Sequence, residues 1–287
     1  MVRQTGISDQ VKVLDSTPAE VSFGWIQGAS HRMDNRMETR GAIGGGADFQ
    51  YHLDKVVETT GTIETFPTSL EILKVFGSYS QGSITFTDTL PEHTIQMNTD
   101  SGNYIEISNA KFGRFSLEIT KGEEVRLSVD FMGKSAETKS GSISYTLPTS
   151  SPLNFLDAKV KIDGSYVGSV ESVSVEYNRD LEAVRGIENI SSGDLRKPSE
   201  IIEKMKAISF NITIEITNGT AWNQVMGGST IQDSRSDITI VIETGNGDIT
   251  LTGSRVNDLD ADKGADGEIR TVKISGNALD ISVSNIT

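Results

Sequence analysis

The residues best spaced for chemistry lie between Asn257 and Glu268. Asp258, Asp260 and Asp262 alternate along the chain, and Gly264, Asp266 and Glu268 follow. Alternating carboxylates ahead of a glycine are how a calcium loop gathers oxygen ligands. The spacing departs from an EF-hand: Gly264 falls one place late, Glu268 one place early, and no helical pattern flanks the stretch. It reads either as a weak cation site on Asp258, Asp260 and Asp262 or as a solvated hairpin tip, and the tip is favoured. Gly44-Gly45-Gly46 would cradle a phosphate only between a strand and a helix with a lysine close by; no Gly-Lys-Ser/Thr follows, so a loop is expected. His31, His52 and His93 are the only histidines and none forms an i, i+4 pair, which argues against zinc. No Gly-x-Ser-x-Gly elbow occurs, and without cysteine there is no thiol nucleophile or thiolate site. A pair of glycosidase carboxylates is not readable from one sequence. Trp25 and Trp222 are read as core or interface anchors rather than base-stacking platforms. The expectation is no enzyme, no catalytic residue, no metal and no cofactor.

Chemistry being so sparse, the elements carry the information. The chain has 287 residues, enough for two ordinary domains. It has 28 Gly but only 6 Pro, with 36% hydrophobic and 23% charged residues, which favours folded sheets joined by tight turns. No apolar run is long enough to span a membrane, and Met1 to Gly6 lacks a signal-peptide core, so folding in a cytoplasm is expected. The net charge of −14 repels nucleic-acid phosphates.

Strands announce themselves by period two. Ile208, Phe210, Ile212, Ile214 and Ile216 alternate with Ser209, Asn211, Thr213, Glu215 and Thr217. Val125 to Phe131 and Val173 to Tyr177 behave alike, and Ile238 to Ile242 does so less cleanly because Val241 is apolar, with turns at Asp163-Gly164, Asn218-Gly219 and Asn246-Gly247-Asp248. Short helices are expected from Thr68 to Phe76, closed by Gly77, and from Thr220 to Met226. Pro198 to Lys206 also looks helical, but its counterpart from Gly44 to Gln50 does not, so a long, variable loop is expected here in both copies, with room for a helical turn in the second.

These elements recur. Asn35-Arg36 followed by Arg40-Gly41 resembles Asn178-Arg179 followed by Arg185-Gly186. Thr62-Ile63-Glu64 matches Thr213-Ile214-Glu215; Glu124-Val125-Arg126 matches Glu268-Ile269-Arg270; Gly133 matches Gly276. Four matches in one order indicate a tandem duplication. The expected division is an arm over 1–20, a first copy over 21–137, a Ser/Thr/Pro linker over 138–157 and a second copy over 158–287.

The whole pattern resembles the tail tube proteins of long-tailed phages and related archaeal viruses. The resemblance rests on Ser151 to Ala158 leading into Val173 to Glu182, on Lys197 to Ile202 returning as Ile208 to Ile216, and on Phe23-Gly24-Trp25-Ile26 before Asn35-Arg36. It implies a mainly β fold, with two tandem tube-type β-sandwich or half-barrel domains, each with a short flanking helix. It implies a virion protein that closes edge to edge into rings, three copies making a pseudo-six-fold ring. Rings would stack into a tube through which DNA is ejected without specific binding. The tube would be assembled in the host cytoplasm and meet tail-end and terminator proteins. On that reading Glu64, Glu215, Thr62, Thr213 and Asn211 face the lumen. Loops carrying Gly44, Gly45, Gly46, Asp48, Phe49, Arg196, Pro198 and Ile201 stack the rings, together with the N-terminal arm before Val21. The rival classes are a surface adhesion or carbohydrate-binding β-sandwich, expected to expose aromatics on one face, and a hydrolase on a β scaffold.

Overall fold

The computed structural model describes residues 11–17, 19–41, 50–100, 102–144, 146–154, 159–184, 198–215, 237–263 and 269–286. Side-chain description covers these ranges apart from 34–41, 50–57, 100, 168–169, 259, 261–263 and 269–270. In the first half the strands are β1 (Val11–Leu14), β2 (Glu20–Val21), β3 (Trp25–Gly41), β4 (Gln50–Phe66), β5 (Gly77–Ser80), β6 (Ser83–Phe86), β7 (His93–Asp100), β8 (Asn103–Thr120), β9 (Arg126–Gly133) and β10 (Ser135–Ser140). In the second half they are β11 (Lys159–Ile162), β12 (Ser165–Val184), β13 (Glu200–Glu215), β14 (Ile238–Glu243), β15 (Asp248–Lys263), β16 (Ile269–Ala278) and β17 (Asp280–Ser284).

Two sets of four long strands repeat one order. β3, β4, β9 and β8 lie side by side, each antiparallel to the next. β12, β13, β16 and β15 do the same. β8 then pairs antiparallel with β12, from Arg114↔Asn178 to Thr120↔Ser172, and joins both sets into one continuous sheet. The registers agree as well. Thr62-Ile63-Glu64 faces Asp130-Val129-Ser128, and Thr213-Ile214-Glu215 faces Lys273-Val272-Thr271. Thr59 lies opposite Gly133 and Phe210 opposite Gly276, in step with that match. The Asn-Arg match is one residue out of step: Val57, the counterpart of Ile208, faces Asn35, whereas Ile208 faces Tyr177.

A second layer covers the apolar side. β2, β1, β7, the first part of β8, and β10 pair in that order. In the second half β11, β14, the first part of β15, and β17 pair likewise, and the β5–β6 hairpin extends this layer beyond β17. β8 and β15 each run through both layers, which lets one strand set the angle between them.

The core lies between the layers and is continuous across the two halves. Phe76 meets the rings of Phe115 and Tyr177 edge-on at 5.1 and 5.4 Å, and Phe115 stacks on Tyr177 at 5.6 Å across the β8–β12 joint. Expected as two domains, the halves therefore share one core. Phe76 comes from the expected helix, which is a 3-10 helix over Leu70–Phe76; the Ser69 hydroxyl accepts from Glu71 N, and Leu70, Ile72, Leu73, Val75 and Phe76 are buried. Asp163-Gly164 turns the β11–β12 hairpin with both residues at positive φ, the type I′ geometry.

Three expectations change. Residues 11–14 are not an arm: β1 pairs with β2 and β7, and Val11 and Val13 are buried. Thr138 to Ser140 are not linker but the end of β10, paired with β8. Residues 200–206 are not helical: they extend β13, with Ile201 opposite Ala183, Glu203 opposite Leu181 and Lys206 opposite Arg179. A partner strand supplies the backbone hydrogen bonds, and this outweighs the local helix preference. Residues 220–226, the turn at Asn218-Gly219, Trp222, Gly44, Gly45, Gly46, Asp48, Phe49 and Arg196 lie outside the described residues.

Candidate functional site

The candidate site is the polar face of the continuous sheet, opposite the core. Alternation creates it. In β4, Ile63 is buried while Thr62 is half-buried and Glu64 exposed; in β13, Ile212 and Ile214 are buried while Asn211 and Glu215 are exposed and Thr213 half-buried. Cross-strand partners show that these residues share one face. Glu64 lies opposite Ser128, Ser128 opposite Ser116, Ser116 opposite Glu176 and Glu176 opposite Ser209. Asn211, Thr213 and Glu215 follow Ser209 at alternate positions of β13. All five residues assigned to a lumen on sequence grounds thus belong to one surface.

Around them the structure gathers charges that the sequence reading missed. Thr62 Oγ1 donates to Asp130 Oδ1 at 2.6 Å. Arg114 on β8 forms an ion pair with Glu176 on β12 across the joint. Lys273 stands opposite Thr213 on one side and Asp260 on the other. A groove of about 560 Å³ crosses the joint, lined by Arg32, Thr60, Thr62, Arg114, Asp130 and Asn178 among others. A smaller one, about 380 Å³, holds Glu64, Glu118 and Arg126. Alternation from Arg114 to Thr120, following the irregularity between Phe112 and Arg114, was the signal for β8.

The other candidates separate from this face. Asp258 and Asp260 are exposed on β15, and Asp262 is the next alternate position of that strand, so the acids lie along a strand rather than around a loop. Among the described residues no group of three His, Asp or Glu side chains is placed to hold a metal ion. Pro198 and Ile201 are buried within the chain; Ile201 O accepts from Lys111 Nζ at 3.0 Å, and Ile201 is 0% exposed, so its side chain has no surface to offer a neighbouring ring. His93 is buried against the Phe112 ring. Trp25 is partly exposed and its indole donates to Ser150 O at 3.0 Å, an anchor at the start of β3.

The family model described as phage tail tube protein matches residues 10–283. The chain belongs to that family. Comparison with curated proteins returns no match. A tube protein is a structural component of the virion tail that assembles with copies of itself, so the surfaces that matter first are those presented to other copies. The fold is mainly β, as the family resemblance implied. No helix among the described residues is long and apolar enough to cross a membrane.

Proposed function

We propose that this chain is a duplicated tube subunit. Three copies close into a pseudo-six-fold ring, rings stack into a hollow tail tube, and the polar face of the sheet lines the channel through which DNA is ejected. One observation carries the reading: β3-β4-β9-β8 is followed by β12-β13-β16-β15 in the same order and register, joined β8 to β12. The last strand of one set meets the first strand of the next. The remaining ends, β15 and β3, are again a last and a first strand, and they are antiparallel to each other. Repeating the joint between copies removes both open edges.

The registers support a closed barrel of sensible shape. Straight across the sheet Glu64 leads to Ser209, but its ladder counterpart is Glu215, six residues further along β13. A stagger of six residues per four strands, at about 3.3 Å per residue and about 4.8 Å between strands, corresponds to a tilt of about 45°. About twenty-four strands at that tilt enclose a backbone cylinder of about 50 Å diameter, which leaves room for a DNA duplex after side chains are placed. The same stagger brings Glu64 and Glu215 to one height on the tube axis. Their carboxylates repel phosphate and keep DNA from adhering.

Mass photometry and cryo-electron microscopy of concentrated protein test the assembly: three-copy rings and stacked tubes are expected, and a chain that stays monomeric at all concentrations overturns it. Glu64→Lys with Glu215→Lys should leave tubes intact and slow DNA release; unchanged release would remove the channel role. Ring-to-ring contacts are assigned to the loops after Gly41 and Gly186. Deleting residues 44–50 should give rings that do not elongate, and normal tubes from that deletion would overturn the assignment.

A further inference from the structure

We infer that β15 of one copy meets β3 of the next in the register of the β8–β12 joint, and that Asp260 and Asp262 against Arg32 and Arg36 specify that register. The inference rests on the ring proposed above and names what holds its seam.

Ladder positions fix the correspondence. Arg114 faces Asp130 and Asp260 faces Lys273; Asp130 and Lys273 are counterparts, so Asp260 occupies the place of Arg114. Ser174 faces Asn211 and Arg32 faces Thr60, which makes Arg32 the counterpart of Ser174 and Asp34 of Glu176; counting on along β3, Arg36, at the register shift after Asn35, takes the place of Asn178. In the internal joint Arg114 lies opposite Asn178. Between copies the same register sets Asp260 opposite Arg36 of the next copy. Asp262 falls opposite Asp34, with Arg32 and Arg36 at the two diagonal positions. Diagonal partners are within reach of long side chains. The internal joint uses that geometry, since Arg114 pairs with Glu176, two residues from its direct opposite.

Both edges are available. Among the described residues β3 pairs only with β4, and residues 255–263 of β15 pair only with β16. Arg32, Asp258 and Asp260 are exposed. The apolar side of the seam offers little discrimination. Where the internal joint stacks Phe115 on Tyr177, the corresponding positions carry Ala261 and Asn35. Every copy also bears a net charge of −14, so copies repel unless the seam itself is locally complementary. An acidic stripe on β15 and arginines at Arg32 and Arg36 of β3 supply that complementarity. A one-residue slip would move each set to the wrong face.

Charge exchange tests this on the full chain. Asp260→Lys with Asp262→Lys should stay folded by circular dichroism and lose at least tenfold in ring fraction by mass photometry. Arg32→Glu with Arg36→Glu should do the same. All four changes in one chain should restore rings. An equimolar mixture of the two double variants should form open pairs and open three-copy chains but no ring with all seams matched, because three copies cannot alternate two types around a closed ring. If either double variant unfolds, Asp260→Asn with Asp262→Asn gives the same reading with a smaller loss. Rings persisting in each double variant, or a folded four-change chain that forms none, would overturn the seam while leaving the tube intact. A wild-type chain that never forms rings would overturn both.

Discussion

At the scale of single residues, the most consequential pair outside the polar face is Lys111 with Glu203. Lys111 Nζ sits 2.7 Å from Glu203 Oε1, with both side chains largely buried, and it also donates to Ile201 O. The same carboxylate accepts from Leu90 N at 3.1 Å, so one ion pair ties β8 and the segment before β7 to the extended arm of β13. Removing one partner strands the other charge. Lys111→Ala should cost about 3–5 kcal/mol in urea unfolding. Burial works against charge on Glu203, but hydrogen bonds from Lys111 and from backbone amides prevail and hold its pKa below the ordinary value. A depressed carboxylate contributes stability above its unfolded pKa, about 4.3, and loses it as pH falls through the lower folded value. The wild type should therefore soften below about pH 4.5, and Glu203→Gln should flatten that acid slope. His93 has the opposite charge and the same direction: burial pushes its pKa down, so the fold prefers it neutral. Its unfolded form takes up a proton as pH falls below about 6.5, which draws stability away. In His93→Phe the stability change between pH 7 and 5 should shrink, as read by thermal melts.

At the scale of elements, the β8–β12 joint bears most weight. Phe115 and Tyr177 close its apolar side beneath Phe76. Tyr177→Ala should cost about 3–5 kcal/mol and lower the melting temperature of the whole chain rather than of one half, because the core is continuous. β1 is the second test. Val13 is 1% exposed, so Val13→Ala should destabilise by about 1–3 kcal/mol, whereas an arm residue would show no change. These two elements also mark what the sequence could and could not tell. The strands over 208–215 and 126–131 were legible because one face is buried and the other wet, which writes period two into the residues. The 3-10 helix was legible because Ser69 and Gly77 bracket an apolar run. β1 was not, since Val11 and Val13 alternate over only four residues, too few to separate from chance. Residues 200–206 misled because Pro198-Ser199 and the spacing of Ile201, Ile202 and Met205 imitate a helix start and face. Met205 is 90% exposed, a place no helix core would give it. The ladder partners of residues 200–203 and 206 lie in β12 across an intervening stretch, and local pattern carries no record of them. On the polar face, Glu64 and Glu215 were legible through the repeat. Arg114 and Glu176 were not, because their pairing depends on which strands become neighbours.

At the scale of the whole molecule, the ordering of strands also sets a timetable. Residues 59–133 and their partners in β3 can complete the first four-stranded set while the second is still being made. The outer edge of β8 from Arg114 to Thr120 then waits for residues 172–178, some fifty positions later in synthesis. At about 5–20 residues per second that edge stays unpaired for roughly 3–10 s, on a nascent chain already carrying a ready-made sheet. An unpaired edge of this length recruits any strand that arrives first, including the same edge of another nascent chain on a neighbouring ribosome. Tethering the second set to the first, instead of supplying it as a separate polypeptide, guarantees that the correct strand is the nearest one when it emerges. A chain halted near residue 157 should accordingly precipitate or pair with itself, and adding the second half in trans during translation should recover soluble protein.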